Sequence, residues 1–157
     1  MDEFNLPAIA EKYNQDLSTL SNIQKIELAE YYLLNYAGGA KEVDWPLTHT
    51  ICNGTYVRQI TLPKGALLTG RVHNFDHTSI ISSGDVSVLT NEGMTRIKGP
   101  HTWMSKAGTK RLIYVHEDTI WSTIHKTDQT KVEDIENELV HQSNLAWIDS
   151  TFKLGVS

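Results

Sequence analysis

From Trp45 to His125 the chain is a succession of short segments in which apolar and polar residues alternate, each stopped by turn-forming residues after roughly 8–12 positions. Side chains on a strand point to opposite faces in turn, so this pattern suits half-buried strands and leaves no room for a long helix here. Asn53-Gly54 is the strongest local mark. Both residues tolerate positive φ, which a two-residue hairpin turn needs, and Tyr56, Val57, Ile60 and Leu62 supply the return strand up to Pro63. Further strands are expected over 66–72, 73–81, 86–89, 94–97, 100–104, 111–115 and 120–125. The turns between them fall at Ser83-Gly84-Asp85, Asn91-Glu92-Gly93 and His116-Glu117-Asp118. Many short strands with regular punctuation indicate an all-β sandwich or barrel.

Helical signals flank this region. Asn5-Leu6-Pro7 suits a helix start, with Asn as cap and Pro in the first turn. Ser21 followed three residues on by Gln24 is a capping-box pattern, and Ile23, Ile26, Ala29, Leu33 and Tyr36 recur at helical intervals until Gly38-Gly39. Thr130 and Glu133 predict a second capping box, opening a helix to about His141 with Val132, Ile135 and Leu139 on one face. The last stretch keeps Leu145, Trp147, Ile148 and Phe152, too apolar for a solvated tail. The expected organisation is one domain: 1–44 a helical extension, 45–126 the β-barrel, 127–157 a C-terminal helix and apolar tail.

Composition removes several functional classes. The single cysteine, Cys52, excludes an internal disulfide framework and a multi-cysteine zinc site. A net charge of −5 argues against broad nucleic-acid binding, which needs clustered Lys and Arg. No apolar run approaches membrane-spanning length. The acidic start, MDEFNLPAIAEKY, lacks the cationic and apolar parts of a secretory signal, so a cytoplasmic location is expected, with a virion component as the alternative.

The stretch Gly65 to Gly84 holds the densest chemistry. On a continuous strand Arg71, His73 and His77 would share one face, because their separations are even. Two neutral imidazoles on one face are good ligands for a transition metal but too few for a tight site. A third must come from elsewhere; His125, His101 and Asp85 are the available types, and His125, at the end of the last strand, is preferred.

Gly65, Arg71, His73, His77 and Gly84 also follow the spacing of the first motif of the cupin superfamily, a glycine followed by His-x-His, a Glu and a second glycine. The chain resembles that family over residues 55–125, with two departures: Arg71 stands at the first histidine and His77 at the glutamate. At the places of the second motif stand Lys106, Gly108, Arg111 and Val115. The chain is also similar to short cupin-like proteins of bacteriophages and prophages. The resemblance implies a double-stranded β-helix, or jelly-roll barrel, with helices added at both ends. It implies a ligand site in the barrel mouth lined by Arg71, His73, His77 and Arg111, and subunits that pair as a homo-oligomer.

Two chemistries compete for that site. One is a divalent metal (zinc, nickel, manganese or iron) on His73, His77 and His125. The other is metal-free binding of a small polar or anionic ligand, in the manner of cupins resembling sugar-nucleotide epimerases. There Arg71 and Arg111 would grip the anion, His73 or His77 would act as base, and Tyr114 would be the nearest acid. A third reading is noncatalytic: a structural or interaction protein, phage-associated by the resemblance, whose histidines are only hydrogen-bonded core residues. Trp103 and Trp121 read as core, His49 and His141 as surface, and His116-Glu117-Asp118 as a polar turn.

Overall fold

The computed structural model describes residues 6–35 and 45–140. Asn5, Tyr36, the Gly38-Gly39 stop, His141 and the apolar stretch from 144 to 157 lie outside the described residues. The elements are α1 (Leu6–Lys12), a short 3-10 turn (Leu17–Thr19), α2 (Asn22–Asn35), β1 (Leu47–Cys52), β2 (Thr55–Leu62), β3 (Leu67–Thr69), β4 (His77–Thr90), β5 (Gly93–Lys98), β6 (His101–Ser105), β7 (Leu112–Lys126) and α3 (Val132–Leu139). No described helix is long and apolar enough to cross a membrane.

One antiparallel sheet runs in the order β1-β2-β7-β4-β5, with β3 added to β7 and β6 to β4. Asn53 and Gly54 take φ of 47° and 77°, and Cys52 pairs with Thr55, which is the expected tight hairpin. The two longest strands depart from the sequence reading. Ser83-Gly84-Asp85 and His116-Glu117-Asp118 are not turns; each lies inside one continuous strand, β4 or β7. The two segments face each other, with register shifts between Ile81 and Val86 and the pairs Ser83↔Ile120 and Asp85↔Glu117. An extra residue in a ladder bends the strand and raises its twist. Here the bulges form a corner at which both strands pass from one half of the sheet to the other. Thr119 bonds the corner: its Oγ1 donates to Glu117 O at 2.7 Å and accepts from Asp85 N at 3.2 Å.

The bend folds the sheet over a single apolar cluster. Leu62, Ile81, Val86, Val88, Ile113, Val115 and Trp121 are buried together, with Trp103 edge-on to Trp121 at 5.3 Å. These residues come from both sides of the corner, so the sheet closes on itself as the expected mainly-β barrel with flanking helices. The opposite face carries Leu89 and Leu112, which pack under Leu6, Ile26 and Ala29 of α1 and α2. The Ser21–Gln24 capping box forms: Ser21 N donates to Gln24 Oε1 at 2.9 Å, and Gln24 N to Ser21 Oγ at 3.2 Å. The second does not. Lys131, not Thr130, is the N-cap of α3, and no side chain caps that end.

A buried ion pair ties α2 to the barrel. Lys110, 1% exposed, sets its Nζ 2.9 Å from Glu30 Oε2. It fixes the segment leading into β7.

Candidate metal and ligand site

The barrel interior is divided. On β7 the inward positions run Ile113, Val115, then Trp121, Thr123 and His125; on β4 they run His77, Ser79 and Ile81, then Val86 and Val88. The apolar members fill one end and the polar members gather at the other, where Ser79 Oγ lies 2.7 Å from Ser105 Oγ. β2 adds Tyr56 opposite His125 and Arg58 opposite Thr123. A polar compartment thus sits at the ends of β2, β4 and β7.

His77 and His125 reach it from strands, and both are buried at 6% and 5% exposure. His73 does not. The expected strand over 73–81 begins only at His77; His73 makes an isolated bridge to Val140, and a bend at Asn74–Phe75 turns its ring back onto His77. The two histidines therefore meet through a turn, not through strand alternation. That turn is held from two sides. Asn74 N donates to Leu139 O at 2.8 Å and Asn74 Nδ2 to Glu138 O at 3.1 Å, both at the end of α3. From the other side Gly108 N donates to His73 O at 2.9 Å, and Ala107 N to the Asp76 carboxylate at 2.8 Å.

The three rings converge. His73 Nδ1 lies 3.1 Å from His77 Nε2, and ring centroids are separated by 4.4 Å for His73–His77, 4.6 Å for His77–His125 and 5.1 Å for His73–His125. One ligating nitrogen from each falls within 4.8 Å of the others. A tetrahedral site with metal–nitrogen bonds of about 2.05 Å places its ligands about 3.3 Å apart, so small side-chain rotations would complete the set. His77 Nδ1 is 3.2 Å from Phe75 O, and because a carbonyl only accepts, Nδ1 carries the proton. Its Nε2 lone pair is thereby turned inward, the orientation that a carbonyl bonded to the far ring nitrogen imposes on a metal-binding histidine. His125 Nε2 lies 2.9 Å from Thr123 Oγ1.

Burial holds all three rings neutral. It pushes His73 down to about 3, with the neighbouring His77, His125, Arg111 and Arg58 adding to the effect, and His125 down to about 4, with His77 and Arg58 adding. His77 is lowered mainly by burial, against the bond to Phe75. Neutral imidazole is the form that ligates metal, so the donor set fits a borderline transition ion.

The remaining sequence candidates divide. Arg111 faces the compartment, close enough to depress both His73 and His77. Arg71 is exposed on the connection after β3. Tyr114 lies on the other face of the sheet, against the Leu89–Leu112 cluster under the helices, with its ring edge-on to His116. Of the alternative third ligands, Asp85 is held by Arg96 through two bonds of 2.9 Å, and exposed His101 stacks on Trp103. Sequence reasoning missed Arg58 and Tyr56. A cation on the face of β2 that carries Ile60 and Leu62 was the available signal. Tyr56 is buried between His125, at 5.9 Å, and the Ile135–Leu139 face of α3, and its hydroxyl lies 2.6 Å from His49 Nδ1.

No protein-family profile matches the chain, and no curated protein matches it in sequence. Solved structures similar to it include a cupin-2 domain protein of Shewanella frigidimarina, 9% identical over 55% of this chain and 84% of that one, with a TM-score of 0.45. A cupin domain of Bordetella pertussis is 19% identical over 57% and 99% of the two chains, with a TM-score of 0.44. The Cnp3 cupin domain of Schizosaccharomyces pombe is 17% identical over 62% and 74%, with a TM-score of 0.45. At these scores the likenesses carry no assignment of function.

Proposed function

We propose that the polar end of the barrel binds one divalent transition metal (zinc, nickel, manganese or iron) through His73, His77 and His125, and admits a small polar ligand. The observation that carries this is the placing of three ligating nitrogens within 4.8 Å of one another, on rings that burial keeps neutral. When bound, the metal would act as a Lewis acid toward an oxygen of that ligand. The chain's own part is to hold the imidazole tautomers, through Phe75 O and Thr123, and to exclude bulk water with Tyr56 and α3.

The test is metal content and linkage. Protein purified without a metal-affinity tag is stripped with chelator and titrated with each ion. At 100 times its dissociation constant the ion adds about 2.7 kcal/mol of stability, and His77→Ala and His125→Ala should abolish the gain. No thermal shift with any of the four ions, or an equal shift in both variants, sinks the reading.

One observation favours a second reading, that of a self-associating structural protein, which the phage resemblance suggested. β1 is an edge strand exposed at all six residues, with Leu47 and Ile51 each 38% exposed, and such an edge pairs readily with a second copy. If it does, Ile51→Lys should lower the mass measured by light scattering; an unchanged mass removes β1 as the contact.

A further inference from the structure

Arg111 faces the site, yet three neutral ligands leave its chemistry without a use. It enters the site at the start of β7, on the inward parity of Ile113 and Val115, and its carbonyl accepts from Gly70 N at 3.2 Å. Lys110 beside it is clamped to Glu30, and Gly108 to His73, so the backbone leading to the guanidinium is fixed. Arg111 is half-buried, and that burial lowers its affinity for its proton. Among the described residues no carboxylate, hydroxyl or carbonyl accepts from the guanidinium. The charges nearest the histidines are otherwise Arg58 and Asp76, and the Asp76 carboxylate is engaged by Ala107 N.

A half-buried guanidinium with no acceptor among the described residues loses part of its hydration without compensation, and a dication beside it would add like charge. Both difficulties are removed by the same thing, an anion lying between them. We propose that Arg111 anchors an oxyanion subsite next to His73 and His77, so that the ligand of this barrel presents a carboxylate or phosphate group. The planar fork of arginine matches two oxygens of such a group, and an oxygen on its far side faces the imidazoles. This deepens the metal reading by naming the ligand class. It rests on that reading only for one consequence: metal and anion strengthen each other's binding by the same factor.

The test uses the full chain with methylphosphonate and acetate as phosphate-like and carboxylate probes. Each is titrated into metal-free protein by calorimetry, and into cobalt(II)-loaded protein by following the d–d absorption bands. One probe or both should bind, and the preferred one identifies the oxyanion class. Arg111→Gln and Arg111→Met should weaken that binding about tenfold or more, the equivalent of one charge-assisted hydrogen bond, with Arg111→Lys in between. In anion-free buffer Arg111→Met should melt at or above the wild-type temperature, because it deletes a half-buried cation that has no acceptor among the described residues. The proposal is overturned if neither probe binds, or if Arg111→Gln binds as well as wild type. It is equally overturned if Arg111→Met melts markedly lower without anion, since the arginine would then serve an internal acceptor. If cobalt fails to bind, the metal reading falls alone, and the metal-free titration still decides the subsite.

Discussion

Acidifying the metal-free protein from pH 7.5 to 5.5 should destabilise it through the three clustered histidines. Unfolded, each imidazole titrates near its ordinary value of about 6.5, whereas in the native barrel His73 and His125 are held near 3 and 4. Between those limits the unfolded chain binds protons that the native state refuses, so stability is complete above about pH 6.5 and falls as pH falls toward 4. At pH 5.5 an ordinary histidine is about nine-tenths protonated, and denying it that proton costs about 1.4 kcal/mol. His73 contributes about that. For His125, partial solvent screening reduces the figure to about 1 kcal/mol. His77 acts in the same direction. A loss of about 2 kcal/mol from the first two corresponds to a midpoint about 4–8 °C lower for a domain of this size.

The assay is urea denaturation at the two pH values, at fixed ionic strength and after chelation, because bound metal would hold the rings neutral and hide the effect. The double variant His73→Gln/His125→Gln should lose most of the fall. Asp85 does not confuse the window, since Arg96 holds its carboxyl below the usual range and its protonation acts at lower pH. Equal stability at both pH values, or a fall in the double variant as large as in wild type, would refute the claim that these rings are buried neutral.

Two further substitutions probe the frame that holds the site. Gly84 sits in the corner with φ of +120°, and an added Cβ would lie 2.6 Å from Thr119 Cα and closer still to its hydroxyl. Gly84→Ala should therefore cost about 3 kcal/mol or more by urea midpoint, and an unchanged midpoint would mean the corner is not packed as described. Lys110→Met strands the buried Glu30 carboxylate and should cost about 3–5 kcal/mol in thermal unfolding, while Lys110→Met/Glu30→Leu should recover most of it. Failure of the double change to recover stability would show that the pair does more than neutralise itself.

The legible parts of this chain were those written in neighbouring residues. Asn53-Gly54 and Ser21 with Gln24 formed as their local chemistry demands. Ser83-Gly84-Asp85 and His116-Glu117-Asp118 have turn composition, yet each is a bulge, because the partner strand opposite bends at the same level and the ladder resumes beyond it. Nothing local distinguishes a strand that ends from one that kinks. The site shows the same limit. His73 and His77 meet, but across a bend braced by α3 and the Ala107–Gly108 loop, and no spacing rule encodes those braces. Arg58 becomes visible only through the β2–β7 register, which sets it opposite Thr123. Tyr114 failed as a site residue for a related reason: one position either way on β7 exchanges the barrel interior for the face under the helices.

Stability alone gives no reason to keep this compartment polar. Ser79, Ser105, Thr123, His77 and His125 occupy buried strand positions where the other end of the barrel carries aliphatic side chains, and each buried polar group must find a partner or cost free energy. Such a departure from the pattern is what a functional site looks like when the rest of a fold obeys it. The bracing follows the same logic. The last carbonyls of a helix need donors, and those of Glu138 and Leu139 take theirs from Asn74, the residue after His73. The end of α3 and the ring of His73 are thereby placed by the same two hydrogen bonds. Burial of Ile135 and Leu139 against Tyr56 fixes α3 on the barrel, and with it His73, the one of the three clustered histidines that no strand holds. Helix α3 is thus a wall of the site, and changes at its apolar face should be felt at the metal ligands before they are felt in the fold.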